Sequence, residues 1–152
     1  MPRIILKTSI NADIQTCFDL ARNIDFHQKS LEHSNEKAIA GRTSGLIELG
    51  ESVTWEAVHF GIKQRMTSKI TEFNPPLYFV DEMVYGPFKS FIHEHLFEKT
   101  LNGTLMTDKF HYESPYGFLG RLADSIFLKR YMTSLLSIRN KYLKNEAEDQ
   151  KR

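Results

Sequence analysis

The sequence predicts an α+β fold: a curved, seven-stranded antiparallel sheet wrapped around one long C-terminal helix, with two short helices after the first strand. Three observations carry that expectation. Residues 36–112 are cut by turn chemistry into six apolar-rich stretches, spaced too closely for crossover helices. Residues 3–10 alternate with a period of two and add a seventh strand. Residues 118–143 repeat apolar positions at steps of three and four, the signature of an amphipathic helix. A long antiparallel sheet must bury its apolar face, and only the last helix is long enough to cover it.

Each element follows from its residues. In the first strand Ile4, Leu6, Thr8 and Ile10 alternate with Arg3, Lys7 and Ser9. Asn11 and Asp13 then offer N-cap oxygens to a helix with Ile14, Cys17, Phe18 and Ala21 at helical spacing. A second short helix is expected over about Ile24 to Leu31. Gly41 and Gly45, Gly61, Asn74-Pro75-Pro76, Gly86-Pro87 and Asn102-Gly103 punctuate the six strands that follow. In the long helix Leu128, Tyr131, Leu135, Ile138 and Tyr142 form one stripe. Leu119, Leu122 and Ile126 form an earlier, slightly rotated one, which implies a broad apolar face or a bend. Residues 1–145 are therefore expected to form a single domain, and the charged end, 146–152, a disordered tail without apolar anchors.

Composition narrows the function classes. The 152 residues are 41% hydrophobic and 26% charged, with a formal net charge of +1, so no broad basic field points to nucleic acid. One cysteine, Cys17, can form neither an internal disulfide nor a zinc site alone, which fits a reducing cytoplasm. Within its helical pattern it reads as a small buried hydrophobe. No run of 18 apolar residues and no signal-peptide pattern occurs, so neither a membrane span nor a cleaved leader is expected.

The strings WEAVHFG (55–61), ITEFNPPLYFVDEMVYGPF (70–88), HEHLFE (93–98), GTLMTDKFHY (103–112) and SPYGFLGRLAD (114–124), taken in this order of elements, resemble the START-like superfamily, also called SRPBCC. The resemblance is to its small bacterial, polyketide-cyclase-like, ligand-binding branch and covers nearly the whole chain. It implies the helix-grip (START/Bet v 1-like) fold and binding of lipids, polyketides or other apolar molecules. It supplies no catalytic residues to carry over.

Hairpin turns then propagate the inward face from strand to strand. An Asn102-Gly103 turn of type I′ would set Leu101 opposite Thr104, Phe97 opposite Asp108, His95 opposite Phe110 and His93 opposite Tyr112. A turn at Gly86-Pro87-Phe88 would set Tyr85 opposite Lys89, Asp81 opposite His93, Phe79 opposite His95 and Met83 opposite Phe91. The charges of Lys63, Arg65 and Lys69 turn Ile62, Met66 and Ile70 inward. Trp55, Ala57 and His59 face inward because the opposite choice would bury Glu56.

The expected ligand-binding wall is thus Trp55, His59, Met66, Phe79, Asp81, Met83, Tyr85, Phe91, His93, His95, Asp108, Phe110 and Tyr112, with Leu128 and Leu135 from the helix. An apolar wall with a few convergent polar groups suits a small hydrophobic or aromatic ligand that carries oxygen. The leading expectation is a carrier or sensor that needs no cofactor; the oligomeric state is left open. Two rivals stand beside it. One is a cyclase or aromatase using Asp81, His93 and Tyr112 as an acid/base group, although no nucleophile motif or oxyanion loop accompanies them. The other is an interaction module whose aromatics fill the interior, which a cavity under roughly 300 Å³ would favour. His93 and His95, with His59 or Asp81, also have the spacing of a His/His/carboxylate metal set, but imidazoles bonded to neighbouring carboxylates are the simpler expectation, and no metal is assigned. Lys129 and Arg130 read as solvated, and His27 and His33 receive no role.

Overall fold

A computed structural model describes residues 2–114 and 127–151. The chain runs β1 (Arg3–Ile10), α1 (Ile14–Ala21), α2 (Ile24–Ser30), a 3-10 turn (Glu32–Ser34), β2 (Lys37–Gly41), β3 (Ser52–His59), β4 (Ile62–Asn74), β5 (Tyr78–Tyr85), β6 (Ser90–Thr100), β7 (Gly103–Glu113) and α3 (Lys129–Gln150). The strands form one antiparallel sheet in the order β1-β7-β6-β5-β4-β3-β2, so β7 returns beside β1 and the two edges belong to β1 and β2. The expected start of the long helix, the stripe Leu119, Leu122 and Ile126, and the Pro115-Tyr116-Gly117 approach lie outside the described residues. No helix of the described residues is long and apolar enough to cross a membrane.

The short helices begin where the sequence predicts. Asp13 caps α1 by accepting from the Thr16 backbone N–H at 3.1 Å, and Asn23 caps α2 by accepting from that of Phe26 at 3.0 Å. The inner face of α1 plugs one end of the concave sheet. Phe18, fully buried, meets Phe79 and Phe97 edge-on at 5.4 Å each. Cys17 is buried beside it, and burial raises its thiol above the ordinary range, as suits a packing residue rather than a nucleophile.

Several expectations change. In the β6–β7 hairpin, Thr100 faces Gly103, which puts Phe97 opposite Met106, His95 opposite Asp108, His93 opposite Phe110 and Phe91 opposite Tyr112. Each pair lies two residues from the predicted register, so the inward set survives and only the partners move. The cause is Gly103 itself: a Cβ there would come within 2.1 Å of the Ile10 carbonyl oxygen, so glycine serves a close backbone approach to β1 and not the turn. Second, the β5–β6 ladder keeps Asp81 opposite His93 and Phe79 opposite His95 but ends at Glu82 and Ile92, so Met83 has no ladder partner in Phe91. Third, the charged tail is ordered. α3 continues to Gln150, and Ala147 is 1% exposed within the core beside Leu143.

The buried face of α3 is also rotated from the predicted stripe. Leu135, Leu136, Arg139, Asn140, Leu143 and Ala147 point inward, while Tyr142 is half exposed. Sheet curvature carries similar local corrections. A bulge at Val84 pairs Met83 with Ser68 but Tyr85 with Thr67, whose side chain bonds Thr54 on the half-exposed outer side. Tyr85 therefore turns outward and is 67% exposed.

Candidate functional site

A cavity of about 520 Å³ lies between the sheet and α3. Its apolar wall is drawn from every layer: Ile24 and Leu31 from the α2 region, Trp55, Met66 and Phe79 from the sheet, Phe91 and Phe110 further along, and Leu128, Met132, Leu135 and Leu136 from the helix side. Of the predicted wall, Trp55, His59, Met66, Phe79, Asp81, Phe91, His93, His95, Phe110, Leu128 and Leu135 border this space. Met83, Tyr85, Asp108 and Tyr112 do not. Tyr85 is outside; Met83 packs beside the Phe91 cluster; Tyr112 is fully buried in that cluster; Asp108 is fully buried behind the imidazoles.

The polar floor is built by three adjacent strands and two residues of α3, Arg139 and Asn140. His95 leans toward β5, its Nε2 lying 2.6 Å from Asp81 Oδ2, and His93 leans toward β7, its Nε2 lying 2.8 Å from Asp108 Oδ1. The bonds are diagonal to the ladder, so Asp81 pairs with His95 and not with His93, the residue directly opposite it. The two rings stack with centroids 3.7 Å apart, and Phe79 stacks on the far face of His95 at 4.1 Å. The predicted Asp81, His93 and Tyr112 acid/base group is therefore not assembled. Asp81 and His93 belong to different pairs, and Tyr112 does not border the cavity.

Arg139 was missed by sequence reasoning and organises the floor. It is 4% exposed. Its Nη1 donates to Asp108 Oδ1 and Asn140 Oδ1 at 3.0 Å each, and its Nη2 reaches the Ala21 carbonyl and His95 Nδ1 at 3.4 Å. Asn140 Nδ2 donates to the other Asp108 oxygen at 2.8 Å. The available signal was an aspartate on an inward strand face, which requires a buried cation or donors.

This geometry sets the charges. Burial works to raise Asp108, but Arg139 and the hydrogen bond from His93 overcome it and hold the carboxyl far below its usual range. Burial likewise opposes Asp81, and the His95 hydrogen bond with the charges of His95, His93 and Arg139 keeps it below its ordinary value. Burial, reinforced by His93, pushes His95 down to about 4 against the pull of Asp81. His95 is thus a neutral ring at neutral pH. Because Arg139 points a donor at Nδ1, the His95 proton sits on Nε2 and is given to Asp81.

Asp81, His93 and His95 each offer a ligand atom within 4.8 Å of the others, the only such group of three among the described residues. Coordination through His95 Nε2 would need the proton on Nδ1, where the Arg139 guanidinium stands.

A second polar region borders the cavity. His59 Nδ1 lies 2.6 Å from the Tyr131 hydroxyl, and burial lowers the His59 pKa and raises that of Tyr131. Phe60, at the tip of the β3–β4 hairpin with φ 54°, packs on Tyr131 and Phe127 at 4.4 and 5.3 Å. A bulky residue at positive φ is costly and is held here by those ring contacts. His27, given no role in the sequence reading, also borders the cavity, its ring tilted against Trp55 at 4.5 Å and reaching Glu36 at 3.3 Å. Lys129 and Arg130 are exposed.

No protein-family model matches the chain, and no curated protein matches it in sequence. Solved structures do match in shape. A protein of Thermus thermophilus superposes with a TM-score of 0.72 at 19% identity, covering 93% of this chain and 97% of that one. The ginseng major latex-like protein 151 of Panax ginseng gives 0.70 at 14% identity, covering 96% and 97%. The di-domain ARO/CYC StfQ of the steffimycin biosynthetic pathway gives 0.77 at 10% identity, covering 97% of this chain and 51% of that longer one.

Proposed function

We propose that this chain, which has the START/Bet v 1-like helix-grip fold, holds one small hydrophobic or aromatic molecule of lipid or polyketide kind in the cavity between sheet and α3, as a carrier or sensor. The observation that carries the proposal is the cavity itself. Its volume of about 520 Å³ falls within the range of ligand pockets, roughly 300–1,000 Å³, and exceeds what a side-chain-filled interaction module would leave. Its wall is chiefly hydrocarbon and aromatic, so burial supplies affinity at about 25 cal/mol per Å² of apolar surface. The imidazoles and Asp81 gather the polar contacts at the floor, where a hydroxyl or other polar head of the ligand would be read, and orientation follows from that asymmetry.

In this reading His93 is a recognition residue. His93→Ala is expected to weaken binding by about 1–2 kcal/mol, the scale of one lost hydrogen bond, while leaving the apolar contacts intact. Native mass spectrometry of the purified protein, followed by extraction of retained small molecules, tests the proposal directly. A bound species of fitting volume is the expected result. No retained molecule, together with no thermal shift across a lipid and polyketide panel, would sink it.

A further inference from the structure

The floor has a charge balance that binding of an apolar body does not require. Two carboxylates, Asp81 and Asp108, share one guanidinium, and Arg139 places its charge on Asp108. Asp81 has only the neutral His95 ring, which donates to Oδ2. No bond to its other oxygen forms among the described residues, and the Asp81 side chain is 18% exposed at the cavity wall.

The protons are distributed the same way. Arg139 spends Nη1 and Nη2 on Asp108, Asn140, Ala21 and His95, which leaves only its Nε–H. His93 spends its Nε2 proton on Asp108, so in the neutral ring Nδ1 is a lone pair. The floor therefore offers more acceptors than donors, and Asp81 has no cationic side chain bonded to it among the described residues. The rings of Phe79 and Phe110 flank the two imidazoles, Phe79 stacked on His95 at 4.1 Å and Phe110 at right angles to His93 at 5.3 Å.

We propose that Asp81 makes the cavity selective for ligands whose polar head donates hydrogen bonds, protonated amines above alcohols, and closes it to carboxylates. The inference rests on the reading that the cavity holds a ligand. A ligand carboxylate would bring a second negative charge beside Asp81 in a low-dielectric site, where like charges repel far more than in water. An ammonium would pair with Asp81 and complete the balance begun by Arg139 and Asp108.

Three probes of one apolar shape test this by calorimetry at pH 8: 2-(aminomethyl)naphthalene, 2-naphthalenemethanol and 2-naphthoic acid. The amine is expected to bind at least about tenfold more tightly than the acid, with the alcohol between them. Asp81→Asn, nearly isosteric, should shrink the gap between amine and acid to within about threefold while moving the alcohol little. Equal affinities for all three probes, or an acid that binds as well as the amine, would overturn the selectivity and leave the cavity proposal standing. Failure of all three to bind would instead remove the cavity proposal and this one with it. The ranking on the unmodified protein does not depend on whether the variant folds, and an unchanged ratio in a folded Asp81→Asn protein would also overturn the inference.

Discussion

Arg139 enters the core with its charge already answered, by Asp108 at 3.0 Å, and with two further acceptors and one imidazole around it. Removing either partner leaves a buried charge uncompensated, which costs about 3–5 kcal/mol. Arg139→Met should lower stability by that amount in urea denaturation at pH 7, and Asp108→Asn in the Arg139→Met background should recover part of it. Strict additivity of the two losses would mean that the pair does not interact. The same cluster sets a pH limit. His95 titrates at about 4 in the folded chain and near 6.5 when unfolded. Between those values the unfolded state binds the extra proton, so the contribution is complete above about pH 6.5 and is lost as pH falls toward 4. Asp108, depressed by Arg139, adds its own loss at still lower pH. Denaturation midpoints should fall across this window, and His95→Gln should flatten the fall between pH 6.5 and 4.

At the scale of elements, much of the architecture was legible because turns and periodicities are local signals. Gly61 and Asn74-Pro75-Pro76 bound β4, and Asp13 marks α1, because turn geometry and capping need those residues whatever the rest of the fold does. Reading failed where a residue answers to a distant partner. Gly103 looked like half of a hairpin turn, yet it is set by the Ile10 carbonyl of another strand, and the register moved by two. The parity change at Val84 that sends Tyr85 outward leaves no mark in the alternation of β5. The floor was half visible: the inward histidines and aspartates followed from strand parity, but their diagonal pairing and Arg139 depend on how α3 lies across the sheet. The tail misled because its charges look like solvent seekers. Glu148 instead accepts from the Asn11 backbone N–H at 2.9 Å, Lys144 donates to the Ser9 carbonyl at 2.6 Å, and Ala147 is buried between them in sequence. Deleting residues 146–152 should therefore cost about 1–3 kcal/mol, from lost burial and hydrogen bonds, and lower Tm by several degrees. A disordered tail would leave Tm unchanged.

The whole molecule is a sheet with two apolar clusters on its inner face. One gathers Phe18, Phe79, Phe97, Met106 and Leu143; the other gathers Ile4, Phe91, Phe110, Tyr112 and Leu136; Met66 touches both. The cavity is bordered by members of both clusters, so a ligand seated there would bridge parts of the core that otherwise meet through few side chains. Saturation at 100 times its Kd should stabilise the fold by about 2.7 kcal/mol, readable as a shift of the unfolding midpoint at constant slope. The cavity also has a mechanical consequence. Space walled by hydrocarbon holds water poorly, and unfolding abolishes it, so the volume of the system falls when the chain opens. Hydrostatic pressure favours the smaller volume. The unliganded protein should thus unfold at lower pressure than the complex, and Trp55, the sole tryptophan and part of the cavity wall, would report both transitions by its fluorescence.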